Sequence, residues 1–227
     1  MIRPLMILGT GGGAHDVLDV IEAINACRPT WKVVGFLDDA RPTGSRHLGL
    51  EVVGTLREAR QHGHCSFVNA IGGDQSFRSL PEILASTGLS IDRFATLIHP
   101  EASVSHRARL GRGVVVNYGV AIGGAAVVGD WITLGPGSIV GHNALIRDHS
   151  ILAPGVILSG SVVVDRNCYI GARAVIRQGI RVGERALVGM GAVVVREVDS
   201  GATVVGNPAR VLRHENRVEN LLEAKVP

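Results

Sequence analysis

The chain has 227 residues, 46% of them hydrophobic and only 4% aromatic, with 30 glycines and a formal charge of +3. That length allows one large domain or two modest ones with a real core. The Lys and Arg residues are scattered, with no basic run and no interleaved aromatics, which argues against nucleic acid as a partner. Cys27, Cys65 and Cys168 lie far apart with no CxxC pair, so reduced and mostly buried thiols are expected rather than disulfides or a zinc site. The apolar run in MIRPLMILGTGGG is too short for a signal peptide or a membrane span, and the expectation is a soluble, cytoplasmic protein with no membrane partner.

The stretch PLMILGTGGGAHDVLDVIEAINA reads as a strand, a glycine turn and a helix that buries Val17, Leu18, Val20, Ile21 and Ile24. WKVVGFLDD is a second strand ending in Asp38 and Asp39, and GTLREARQH suits a helix. SFVNAIGGD is a third strand, and FRSLPEILASTG another helix. Alternating strands and helices predict a small parallel, Rossmann-like α/β domain over residues 1–96. Ligands of such sheets bind at the carboxyl ends of the strands, where Gly11, Gly12, Gly13, Asp38, Asp39 and Gly72 should converge. Glycine amides at a helix N-terminus suit phosphate. Gly9-x-Gly11-x-x-Ala14 also matches the loose dinucleotide fingerprint. Fewer than 100 residues precede the next region, however, so a mononucleotide or nucleotide-sugar site is more economical than NAD. The plain alternative is that the glycines only make a tight turn and the aspartates only end a strand.

From Leu97 through Val198 the chain repeats in sixes. The second position of all seventeen hexads, from Ile98 to Val194, is Ile, Val or Leu, and the sixth is nearly always Ala, Ser, Cys or Val. A period of six is neither helical nor a simple strand alternation; it fits a β-helix in which three six-residue faces close one coil of about 18 residues. The second-position aliphatics are expected to point inward. In GPGSIVGHNALI, His142 occupies the fourth position, near a corner and facing outward, so it is either a solvated corner residue or a group able to act on a ligand. HENRVENLLEAKVP, residues 214–227, reads as a short helix.

GTGGGAHDVLDVIEA, GFLDD, NAIGGD, LIHPEASVS and VVGNPARVLR occur in this order. Together with the repeat they resemble the bacterial nucleotide-amino-sugar N-acetyltransferases and the related sialic-acid O-acetyltransferases, which are hexapeptide-repeat acyltransferases. The resemblance implies a left-handed parallel β-helix over residues 97–213, assembled as a homotrimer that binds acetyl-CoA between subunits. It implies a nucleotide sugar held by Gly11, Gly12, Gly13, Asp38, Asp39 and Gly72. The general base falls on His142, beside Asn143, and coenzyme contacts fall near His149, Ile151, Gly160, Ala172 and Met190, with no metal. Four positions depart from the family: Asn143 replaces an Asp or Glu, Gly13 a histidine (with His15 two places on), Gly135 an asparagine and Ile151 a histidine (with His149 close by).

The chemistry suits these residues. An amine bound as ammonium cannot attack a thioester until its proton is held or removed, and an imidazole does this near neutral pH. Backbone N–H groups, Gly160 among them, can stabilise the oxyanion. The leading expectation is therefore acetyl transfer to the amino group of a nucleotide-linked sugar, by direct attack on acetyl-CoA. O-acetylation of sialic acid or another hydroxyl, and a non-catalytic nucleotide-sugar-binding scaffold, are the alternatives. A metal hydratase would need three converging histidines; His142 and His149 are seven apart, with no evident third ligand in phase.

Overall fold

The computed structural model describes residues 2–215. Strand β1 (Arg3–Leu8) runs into the glycine turn and helix α1 (Gly13–Cys27), which buries Ala14, Val17, Val20 and Ile21, with Leu18 and Ile24 partly buried beside them. Strand β2 (Trp31–Leu37) pairs parallel to β1. The chain then makes a hairpin that the sequence pattern did not announce: β3 (Arg46–His47) and β4 (Leu50–Gly54) are antiparallel, and β4 lies parallel to β2. Its two turn residues, Leu48 and Gly49, both have positive φ, at 48° and 78°, the combination that matches strand twist in a two-residue hairpin. Strand β5 (Ser66–Asn69) completes the order β3-β4-β2-β1-β5. GTLREARQH forms a 3-10 helix, Leu56–Gln61, rather than an α-helix. It starts at a capping box in which Glu58 accepts from the Thr55 N–H, and a turn at His62–Cys65 follows at once. Helix α2 (Leu80–Ser86) follows a short 3-10 turn.

From Leu97 every hexad contributes a two-residue strand, and each strand pairs parallel with the one 18 residues later, as Ala121 does with Ile139 and Ile139 with Ile157. Three parallel stacks result. Face one contains Val115–Val116, Thr133–Leu134, Ile151–Leu152 and Tyr169–Ile170. Face two contains Ala121–Ile122, Ile139–Val140 and Ile157–Leu158, and face three Val127–Val128, Leu145–Ile146 and Val163–Val164. Second- and sixth-position side chains fill a continuous aliphatic core from Val114 to Val204, each full burial contributing about 1.5–3 kcal/mol. The inward expectation fails at the open end: Ile98 is 39% exposed and Val104 and Leu110 only partly buried, because no coil covers the first one.

The fifth position of each hexad makes the corner. From Gly113 to Gly191 it is glycine or a residue in the left-handed region, including Asn143 (φ 56°) and His149 (φ 62°), while Glu101, Arg107 and Glu197 at the two ends of the repeat are neither. Glycine adopts this conformation freely and asparagine better than most side chains. The α/β domain lies on face one, whose outward Val115, Ile151, Tyr169 and Leu187 pack into its clusters. Among the described residues nothing covers faces two and three, and face two presents Ala121, Ile139, Ile157, Val175 and Val193, with Ile139 44% exposed.

At the C-terminal end Ala202–Val205 and Arg210–His214 form an antiparallel pair around the Gly206–Arg210 turn. His214 therefore ends a strand instead of starting a helix; the rest of the expected helix, residues 216–227, lies outside the described residues. Among the described residues no helix is long and apolar enough to cross a membrane.

Candidate active site

The glycine turn and the strand ends form one cavity of about 390 Å³, lined by Gly11, Gly12, Gly13, Asp38, Asp39 and Gly72 among others. All six residues that the resemblance assigns to the nucleotide sugar thus stand together. Asp38 binds the turn: its Oδ2 accepts from the Thr10 N–H and hydroxyl, both at 2.7 Å, and its Oδ1 from the N–H groups of Ala40 and Arg41 at 2.7 and 3.2 Å. Burial works against its charge. The bonds from Thr10, Ala40 and Arg41 outweigh that and hold the carboxyl below the usual range. Asp39 Oδ1 accepts from the Leu56 N–H at 2.9 Å and caps the 3-10 helix.

The glycines are not equivalent. A Cβ at Gly13 would stand 2.6 Å from the Ala70 carbonyl oxygen, so packing alone forbids a side chain there. A Cβ at Gly11 or Gly12 would meet nothing within 4 Å, and neither has a positive φ. Nothing among the described residues requires glycine at those two positions; the free space lies where a ligand would approach the start of α1.

His142 stands at the corner between faces two and three, exposed, just past Ile139–Val140. The Asn143 side-chain Nδ2 lies 3.0 Å from His142 Nδ1. An amide can turn its NH₂ or its oxygen toward that nitrogen. Only with Oδ1 facing does Nδ1 carry the ring proton, leaving Nε2 free to accept one. The imidazole lies over Gly160, one coil on, where a Cβ would come 2.6 Å from both Cε1 and Nε2. The His142 carbonyl accepts from the Ser161 N–H at 2.8 Å, which ties the two corners together.

The residues that the resemblance assigns to the coenzyme do not converge within one chain. Gly160 is with His142. Ala172 lies in a shallow groove on the corner between faces one and two, with Tyr118, Pro136 and Arg173. Met190, one coil beyond Ala172, is 82% exposed. His149 is stacked on Trp131 at 4.8 Å, and burial pushes its pKa down. Ile151 is buried at 7% exposure, its Cδ1 against Gly72. His142 lines neither the nucleotide cavity nor this groove.

A second cavity, about 190 Å³, lies between α1 and face one. Gly13, Gly135 and Ile151, three of the four positions that depart from the family, all line it. So do Asp16, Asn117, Thr133 and Tyr169, none of which the sequence singled out. The cavity arises where two domains meet, and no sequence period reports such a meeting. Among the described residues no cluster of three or more His, Cys, Asp or Glu side chains is placed to hold a metal ion.

Residues 4–80 match the family described as the PglD N-terminal domain, and residues 161–196 match the hexapeptide repeat of succinyl-transferase. No curated protein matches the chain. Among solved structures the chain is similar to a perosamine N-acetyltransferase from Caulobacter crescentus, a variant with one histidine replaced by asparagine, in complex with CoA and GDP-perosamine. The identity is 32% over 94% of this chain and 98% of that one, with a TM-score of 0.79. It is equally similar to the acetyltransferase domain of PglB from Neisseria gonorrhoeae in complex with acetyl coenzyme A, at 32% identity over 93% and 100% of the two chains and a TM-score of 0.79. WeeI from Acinetobacter baumannii shares 26% identity over 92% and 100%, with the same TM-score.

Proposed function

Because the chain belongs to the nucleotide-amino-sugar N-acetyltransferase family, we propose that it transfers the acetyl group of acetyl-CoA to the amino group of a nucleotide-linked sugar, with His142 as general base. The observation that carries this reading is the pairing of a ligand-sized cavity at Gly11–Gly13 with an outward imidazole fixed on the repeat at Gly160. Residues 1–96 hold the nucleotide sugar in this account, and residues 97–213 hold acetyl-CoA and supply the base.

The steps follow from the groups present. His142 Nε2 takes a proton from the acceptor nitrogen as that nitrogen attacks the thioester carbonyl. The C–N bond forms, the tetrahedral oxyanion is held by backbone N–H groups such as that of Gly160, and the C–S bond breaks. The imidazolium returns its proton to the departing thiolate of CoA, so no covalent enzyme intermediate is needed.

One chain does not complete this site, since His142 stands at a different corner from the nucleotide cavity. The apolar stripe of Ala121, Ile139, Ile157, Val175 and Val193 on face two supports a homotrimer in which a neighbour's corner closes the cavity. Both substrates are metabolites of the cytoplasm, where the enzyme would act ahead of polysaccharide assembly.

The test is release of the CoA thiol from acetyl-CoA with a panel of UDP- and GDP-linked amino sugars and sialic acid. Turnover confined to an amino sugar is expected; turnover with sialic acid alone would replace this reading by O-acetylation. Mixing His142→Ala chains with Gly12→Val chains tests the shared site. Regained activity is expected, and its absence contradicts a site built from two chains.

A further inference from the structure

The cavity between α1 and face one shares Gly13, Ala70, Ile71 and Gly72 with the nucleotide cavity, so a ligand anchored at the glycine turn can extend straight into it. Its polar lining consists of Asp16, Asn69, Asn117, Thr133 and Tyr169, and it contains no Lys, Arg or His. Asn69 is occupied, with its amide bonded both ways to the Ile71 backbone at 2.8 and 3.0 Å. Asn117 is not. It is 1% exposed and donates Nδ2–H to the Leu134 carbonyl at 2.9 Å, while its Oδ1 accepts no hydrogen bond among the described residues. Gly135, one coil beyond Asn117, adds no side chain that could fill the space beside it.

An amide oxygen that lines the cavity without a protein donor, and a carboxylate residue in the same lining, suit a ligand rich in hydrogen-bond donors. Asp16, on the first turn of α1, is exposed to solvent at the mouth of the cavity; partial burial and the like charge of Asp19 push its pKa up, with His15 opposing. With no cation in the lining, an anionic ligand would meet uncompensated repulsion.

We propose that Asp16, supported by Asn117 Oδ1, is a specificity-determining residue that selects a sugar ring bearing ammonium or hydroxyl donors and rejects an anionic one. This rests on the amino-sugar reading above and narrows it, because the anionic sialic acid is disfavoured by the same carboxylate. Asp16 sets which sugar is seated, and proton removal from the acceptor nitrogen stays with His142.

The experiment is calorimetric binding of GDP, GDP-perosamine and the neutral GDP-mannose, with UDP, a UDP-linked 4-amino sugar and UDP-N-acetylglucosamine as the parallel set. It uses the full chain as wild type, Asp16→Asn and Asn117→Leu. Wild type is expected to bind the amino sugar more tightly than the neutral sugar or the bare diphosphate. Asp16→Asn is expected to lose about tenfold in affinity for the amino sugar, a step of 1.4 kcal/mol, with affinity for the bare diphosphate unchanged. Asn117→Leu should weaken both sugars alike. A first-turn carboxylate also favours the helix dipole, but a purely structural role would move stability and leave the preference intact. An Asp16→Asn protein that keeps the preference for the amino sugar overturns the proposal, even while it still acetylates. A wild type with the preference but without acetyl transfer supports the proposal and overturns the catalytic reading instead.

Discussion

The imidazole of His142 rests on the backbone of Gly160, one coil further along the repeat, so closely that a Cβ at 160 would stand 2.6 Å from its Cε1 and Nε2. Gly160 has no positive φ, and alanine fits its backbone. Gly160→Ala should therefore leave the fold intact and push the imidazole off its seat. A displacement on the order of 1 Å can cost about a hundredfold in rate. We expect kcat to fall by that order, with thermal unfolding unchanged; steady-state kinetics beside a melting curve checks both.

Asn143 supplies an amide where the family resemblance leads one to expect a carboxylate. Asn143→Asp keeps a residue that tolerates the left-handed corner and places an anion beside His142 Nδ1. That anion favours the protonated ring and fixes the tautomer with Nε2 free. The acid limb of the kcat/KM profile should move to higher pH and the plateau rate should rise. A profile that keeps its limb would show that Asn143 does not orient the ring.

Gly11 and Gly12 face empty space in the chain itself. Gly12→Val should fold normally yet bind the nucleoside diphosphate at least about tenfold more weakly, measured by calorimetry. Unchanged affinity would mean that the glycines serve only the turn.

Asp38 gives the fold a pH signature. Its carboxyl sits below the ordinary range because the bonds from Thr10, Ala40 and Arg41 outweigh its burial. A depressed folded-state value adds stability that is fully present above about pH 4 and lost as the pH falls through that lower value. Asp38→Asn should cost about 2 kcal/mol at pH 7, the scale of hydrogen bonds to a charged group. The gap between variant and wild type should close in acid, as melting curves across pH would show.

The repeat was legible because an aliphatic at every sixth residue leaves few other folds, and fourteen of the seventeen second-position side chains are buried. What periodicity cannot report is where the stack ends, hence exposed Ile98. The hairpin at Leu48–Gly49 was missed because a leucine stands at φ 48°, where turn chemistry favours Asn, Asp or Gly. The candidate nucleotide residues were legible from strand ends and glycines. Asp16 and Asn117 were not, because they lie 101 positions apart in the chain and meet only when α1 settles on face one.

The most direct measurement compares CoA release by wild type and His142→Ala with the best amino-sugar acceptor, alongside acetyl-CoA binding to both. A loss of about 10²–10⁴-fold in turnover with binding retained is the predicted result. Turnover that survives the substitution at the wild-type rate would contradict the account and remove His142 as the base.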